Sequence, residues 1–157
     1  MPKYSVALNN WASGAVADTF ATAIGLKAAD TTGHRGRLRS LFVGPADDAP
    51  VDLNVCVKIN RADNSIDGTS TAETPAKRDS LSIASVMTGG VNYTVEPTVY
   101  ETNELWAADF NRRGGILKEW SPEDAPSWGP DQTLGILAAP RTASAATLTI
   151  TIEWEEY

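Results

Sequence analysis

The chain has one histidine and one cysteine among its 157 residues, and these shortages exclude several kinds of catalytic site. Cys56 alone forms neither an intrachain disulfide nor a zinc site with several thiolate ligands. A Ser-His-Asp or Cys-His arrangement would have to use His34, which lies between glycines in a turn-like context. The Gly-rich phosphate-binding motifs of dinucleotide and P-loop sites are missing. We therefore expect no catalytic residue, no cofactor and no bound metal.

The sequence also lacks long apolar runs and an excess of positive charge. No segment approaches the ~20 apolar residues of a membrane-spanning helix. Residues 1–5 do not lead into the apolar stretch of a signal peptide, so we expect synthesis in a cytoplasm. The net charge of −7 opposes binding to nucleic-acid phosphates and to anionic membranes. We expect neither nucleic acid nor membrane as a partner.

What the chain does contain is alternation of apolar and polar residues, the pattern of strands with one buried face. It is clearest over residues 51–60 and 147–154. The apolar members of these runs, expected in the core, are Val51, Leu53, Val55, Val57, Ile59, Leu148, Ile150, Ile152 and Trp154. Weaker patterns predict strands at 4–10, 18–26, 36–43, 81–87, 91–100, 104–110, 115–120 and 133–139. Short strands at roughly ten-residue spacing predict one all-β domain over residues 1–157, a sandwich or a barrel.

Two segments do not fit the strand pattern, and we predict long loops at about 61–79 and 120–131. The first is polar, with Ile66 as its one large apolar residue, and the second is held extended by three prolines. Ordering such loops costs about 1–2 kcal/mol per residue in backbone entropy. We predict that contact with a partner offsets this cost, through Ile66, Thr69 and Thr71 in the first loop and Trp120 and Trp128 in the second. The alternative is packing on the flank of the domain itself.

Arginines and tryptophans supply further candidate contacts. Arg35, Arg37 and Arg39 alternate along one strand face, where they would pair with neighbouring carboxylates or with an acidic partner subunit. The chain has five tryptophans, more than a core of this size requires. Trp154 belongs to a buried run, whereas the other four lie at strand ends or in loops. Aromatic residues there serve as interface anchors or pack beneath loops as satellites of the core.

Carboxylates leave one enzymatic route and one metal route open. Glycosidases need two carboxyl groups flanking a cleft, and several acidic residues lie close in sequence. These are Glu96, Glu101, Glu104 and Asp109. The ordinary interpretation is solvated strand faces. Residues 63–68 resemble part of a calcium loop, but they lack its full spacing and its terminal glutamate, as expected of an Asx-rich turn.

The order of several short motifs is similar to that in small virion proteins of tailed bacteriophages. The motifs span about residues 60–157, and the first sixty residues match only in style. They are Gly68-Thr69-Ser70-Thr71 with Thr74-Pro75, the run from Asn92 to Thr98, Gly114-Gly115-Ile116, Leu134-Gly135-Ile136, and Glu153-Trp154-Glu155-Glu156. None of these is a catalytic signature, and no functional residue is carried over.

The resemblance implies a capsid decoration, or cement, protein with a jelly-roll fold, an antiparallel β-sandwich. Such a protein binds the major capsid protein on the outer surface of the virion, commonly as a homotrimer, and has no enzymatic activity. A carbohydrate-binding β-sandwich module is the main competitor, because exposed tryptophans could stack on sugar rings. Other virion roles, such as a head-fibre base or a tail component, also remain open.

Overall fold

A computed structural model of the chain describes residues 1–28, 33–47, 51–63 and 68–157. The predicted contact Ile66 and most of the candidate calcium loop lie outside these residues. Within them the structure has β-strands and no helix. The strands are β1 (Lys3–Ala12), β2 (Ala21–Lys27), β3 (Gly36–Pro45), β4 (Asn54–Ala62), β5 (Thr69–Glu73), β6 (Ala76–Lys77), β7 (Thr88–Val95), β8 (Trp106–Asn111), β9 (Ile116–Glu119), β10 (Ser127–Trp128), β11 (Thr133–Pro140) and β12 (Thr147–Glu156).

The strands form two antiparallel sheets. The first sheet has the order β10-β3-β12-β1-β6, with β9 also paired to β3, and the second has the order β5-β7-β2-β11-β4-β8. In the long strands, alternate residues point to the space between the sheets, and most of these residues are apolar. The buried layer includes Ile24, Leu41, Ile59, Ile136 and Ile150.

The strand pairing is that of a jelly roll. β1 pairs with β12, β2 with β11, β3 with β9 and β4 with β8, all antiparallel. The first sheet contains β1, β3, β9 and β12, and the second contains β2, β4, β8 and β11. The eight strands are therefore one long antiparallel hairpin wound across two sheets. The prediction of an all-β, jelly-roll-like antiparallel sandwich in a single domain is confirmed.

The segment between β4 and β8 extends the sandwich at one side. β7 joins the second sheet beside β2, β5 pairs with β7, and β6 pairs with β1 of the first sheet. The predicted loop at 61–79 is therefore wrong over residues 69–73 and 76–77, which are strands. Residues 81–87, predicted to be a strand, are a connection in which Leu81 is 92% exposed. Leu81 and Ile83 face solvent, and only Met87, at the end of the segment, enters the core.

The predicted core is correct except at its start. Val55, Val57, Ile59, Leu148, Ile150, Ile152 and Trp154 are all fully buried. Leu53 is half-buried, but Val51 is 47% exposed. The strand begins only at Asn54, because Leu53 N–H bonds back to Val51 O at 2.9 Å in a local turn. The alternating pattern thus continues three residues beyond the sheet.

Candidate interaction surfaces

The outer face of the second sheet is covered by the chain itself. Leu137, Ala139 and Asn60 point away from the core on this face, yet each is at most 5% exposed. The cover is the segment 96–105 between β7 and β8, which we call the strap. Tyr100 of the strap lies on Gly135, where a Cβ would overlap the phenol ring.

Hydrogen bonds fix the strap along its length. Thr22 N–H donates to the Glu96 carboxylate at 2.8 Å, and the Asn60 side-chain amide donates to Glu101 O at 3.2 Å. Leu105 N–H donates to Ile59 O at 2.9 Å, where the strap rejoins the sheet. The strap is therefore held on the centre of this face by the domain's own hydrogen bonds, while Ala107 and Asp109 of β8 stay exposed at its edge.

The outer face of the first sheet carries exposed apolar side chains at its centre. Phe42 of β3 lies directly opposite Leu117 of β9 and Thr151 of β12, and Thr151 lies opposite Ala7 of β1. Leu117 is 63% exposed and Phe42 is 41% exposed. We call these four residues, with Thr149, the outer patch. It extends across four strands, about 15 Å at the usual spacing, and contains no charged residue.

A glycine shapes the centre of the outer patch. A Cβ at Gly44 would come within 2.7 Å of the Phe42 ring, so the ring lies flat over the β3 backbone. A flat ring beside Leu117 gives a smooth apolar surface. Two ion pairs lie beside one end of this surface. Arg78 contacts Glu153 at 2.8 Å, and Arg39 lies 3.8 Å from Glu155. An apolar centre beside a charged margin is the usual composition of a protein interface.

The three predicted arginine contacts lie in three different environments. Arg39 stands at a bulge of β3, between Leu38 opposite Trp154 and Ser40 opposite Glu153, and it faces Glu155 of its own chain. The guanidinium of Arg37 lies 4.7 Å from the centre of the Tyr157 ring. Arg35 precedes β3 and is exposed, with no ion pair among the described residues. Among the described residues, the expected ion pair with a neighbouring carboxylate is found at Arg39, and Arg35 is the one of the three whose side chain is exposed to a partner.

Arg35 lines a cleft at one end of the sandwich, which we call the end cleft. Its volume is about 370 Å³, and its walls include Arg61, Trp128, Pro130, Gln132 and Tyr157. Arg61 is held by Glu101, with N–O distances of 2.9 and 3.3 Å, and this bond raises the pKa of its guanidinium. The guanidinium is thus fixed in position and always charged. No motif in the sequence indicated this site, since its lining comes from distant segments.

The predicted contacts Trp120 and Trp128 lie inside the domain. Trp128 is 1% exposed on β10 and Trp120 is 7% exposed. The indole of Trp128 lies against Gly36, and Trp120 meets Trp106 edge to face at 5.7 Å between ring centres. The expectation that these tryptophans lie on the surface as anchors is wrong. Most of the segment 120–131 is a connection, as predicted, but it packs on the flank of its own domain.

Thr69 and Thr71 lie on β5, the edge strand of the second sheet, and both are exposed. One side of β5 pairs with β7, and the other side faces solvent. The two threonines are accessible, as a partner contact requires. Their role as contacts stays a prediction.

The carboxylates considered for a glycosidase each have a different partner. Glu101 binds Arg61, Glu104 lies 3.4 Å from Lys58, and Asp109 binds Arg141 at 2.6 Å. Arg141 holds the pKa of Asp109 below its usual range. Glu96 accepts the Thr22 N–H described above. These contacts account for all four residues as structural groups of the strap and of β8.

Chemical groups suited to metal or thiol chemistry are scarce on the described surface. The described residues contain no cluster of three or more His, Cys, Asp or Glu side chains placed to hold a metal ion. Cys56 is buried, and burial raises the pKa of its thiol. The described residues also form no helix that is long and apolar enough to cross a membrane.

No protein-family model matches the chain, and no curated protein matches it either.

Proposed function

We propose that the protein is a capsid decoration protein of a tailed bacteriophage, which binds the major capsid protein on the outer surface of the head and stabilises it without catalysis. The observation that supports this best is the difference between the two outer faces of the sandwich. The strap covers the centre of one face, whereas the outer patch leaves Phe42 and Leu117 exposed at the centre of the other. Adjacent exposed apolar residues on a rigid sheet are typical of a protein-binding surface.

Two further properties support a role on a particle surface. The sandwich has its own large core, so it can bind as a preformed rigid body with little loss of conformational entropy. The net charge of −7 keeps particles coated with such a protein from associating. We include a homotrimer in the proposal, with Arg35 and the exposed edge of β5 at Thr69 and Thr71 as its candidate contacts.

The competing carbohydrate-binding function has less support. It was expected from exposed tryptophan rings, yet four of the five tryptophans are at most 7% exposed. The fifth, Trp106, is half-buried against Trp120. A head-fibre base or a tail component would use the outer patch equally well. Electron microscopy of virions would separate these roles from decoration, because each occupies a different place on the particle.

Co-sedimentation with capsids tests the proposal. Capsids of the phage that encodes the chain, prepared without it, are mixed with the purified protein. We expect the wild-type protein to sediment with the capsids in a saturable manner. The double variant Phe42→Glu/Leu117→Glu should bind at least tenfold more weakly, because two charges would be desolvated at the interface. Multi-angle light scattering of the free protein, and its footprint on the capsid, measure the trimer.

Val16→Glu is the matched control, because Val16 is 64% exposed, as Leu117 is, but lies outside the first sheet. It should bind like the wild type. Failure of the wild type to bind any part of the capsid would contradict the proposed function. Equal binding by the double variant would show that another surface is used.

A further inference from the structure

We propose that the end cleft binds a carboxylate side chain, aspartate or glutamate, presented by a partner protein. This assignment goes beyond the proposed function, since it depends on the chemistry of the cleft and not on what the partner is. The cleft is separate from the outer patch, and its volume of about 370 Å³ is within the range of sites that enclose a small ligand.

The donors of the cleft are two guanidinium groups of different mobility. Glu101 occupies Nε and Nη2 of Arg61, which leaves Nη1 at the cleft, where it reaches Ser127 O at only 3.4 Å. The Arg35 side chain is exposed. The Arg35 backbone is held by Tyr157: its N–H donates to Tyr157 O at 3.0 Å, and its carbonyl accepts the Tyr157 N–H at 3.1 Å. One donor is thus preorganised and the other is free to close on a ligand. Arginine binds carboxylates with charge-assisted hydrogen bonds.

The guanidinium groups of the cleft suit an anion. Arg35 and Arg61 line the cleft, and Arg37 lies beside it on the Tyr157 ring. Glu101 binds Arg61, and Asp63 accepts a hydrogen bond from the Gln132 amide at 2.8 Å. Among the described residues, neither Arg35 nor Arg37 has an ion pair with a side-chain carboxylate. A carboxylate side chain that enters the cleft would pair with Arg35.

The walls of the cleft favour a side chain over a small inorganic ion. Trp128, Pro130 and Tyr157 contribute ring surfaces, and the Tyr157 ring is fixed beneath the Arg37 guanidinium. Gln132 is also fixed, since its amide oxygen accepts the Gly129 N–H at 2.8 Å. Methylene groups of a glutamate would pack on these rings while its carboxylate reaches the arginines.

The test is a titration of the full chain followed by ¹H–¹⁵N correlation spectra. The probes are N-acetylglutamate methylamide and its neutral glutamine counterpart, with inorganic phosphate and sulfate as competing anions. We expect the glutamate probe to shift the Gly129 and Gln132 amides and the Trp128 indole signal saturably, with a dissociation constant on the order of millimolar. Arg35→Gln should weaken this binding about tenfold, which corresponds to the loss of one charge-assisted hydrogen bond.

Arg113→Gln is the matched control, because Arg113 is exposed in the turn after β8, beside the far end of β3. It should bind the glutamate probe like the wild type. Equal shifts with the glutamine probe, no shift with either, or tighter binding of phosphate or sulfate than of glutamate would each overturn the assignment. These outcomes are independent of capsid binding through the outer patch, so the two proposals fail separately.

Discussion

At the scale of single residues, three glycines fix where the large aromatic rings lie. Gly36 is covered by Trp128, Gly44 by Phe42 and Gly135 by Tyr100, and at each position a Cβ would overlap the ring. A glycine in a strand pattern is usually taken as a bulge or a weak point. At Gly36 and Gly135 the aromatic neighbour comes from another segment, so the pairing cannot be predicted from local pattern. This is why Trp128 was expected on the surface.

We expect Gly36→Ala to destabilise the domain by about 1–3 kcal/mol or more, because the added methyl group overlaps the Trp128 indole and no flexible group can move aside. Urea unfolding measures the change as a lower midpoint at an unchanged slope. Gly14→Ala is the control, since nothing lies within 4 Å of a Cβ there. It should change stability by no more than about 0.5 kcal/mol. If Gly36→Ala were equally neutral, Trp128 would not pack on β3.

At the scale of strands, the sequence predicted the elements that bury a face and missed those that do not. β4 and β12 are clear because their apolar residues alternate into the core. β5 was missed because all five of its residues are exposed, and a sheet edge needs only backbone hydrogen bonds. The strap and β7 were merged into one predicted strand at 91–100. The sequence therefore did not indicate that the strap lies over the second sheet.

The outer patch and the end cleft could not be predicted from the sequence for a related reason. Phe42 and Leu117 each stand at an outward position of its own strand, and they become neighbours only through the register of β3 against β9. The end cleft joins residues from β4, from the start of β3 and from the segment around β10. Alternation shows which way a side chain points but not which strand lies beside it.

The register of β12 can be tested with two adjacent substitutions. Ile150 is fully buried, and Thr151 points to the outer face. We expect Ile150→Asp to abolish soluble expression, because an unpaired buried charge costs several kcal/mol, comparable to the whole stability of a domain. Thr151→Asp should remain soluble, with a loss below about 1 kcal/mol. The comparison needs only expression and thermal melting. A well-folded Ile150→Asp protein would show that the strand register is wrong.

At the scale of the whole molecule, one ion cluster joins three distant parts of the chain. Arg141, after β11, contacts Asp109 of β8 and Asp18 of the β1–β2 connection, each at 2.6 Å. The cluster raises the pKa of Arg141 and lowers that of Asp109. The side chains are partly exposed, so solvent screens the interaction. Its effect on stability should still follow the titration of Asp109.

Because the pKa of Asp109 is lower in the folded state, the unfolded chain binds more protons at this group as pH falls. The contribution of Asp109 to stability is fully present above its unfolded pKa, about 3.9, and is lost in stronger acid. We therefore expect the wild type to be more stable than Asp109→Asn at pH 6, with a difference that shrinks by pH 3. Urea unfolding across this range measures it, with Asp131→Asn as a control for net charge. A difference that does not change with pH would contradict the assignment.

The pairing of β1 with β12 determines when the protein can fold during its synthesis. β12 lies in the middle of the first sheet, between β1 and β3, and β11 lies between β2 and β4 in the second. Until residue 133 is added both sheets lack a central strand, the first sheet still lacks β12 up to residue 146, and the earlier strands have unpaired edges. Contacts between such distant segments form slowly, and exposed edges promote aggregation. The nascent chain therefore depends on its own solubility, or on a chaperone, until its last strands emerge.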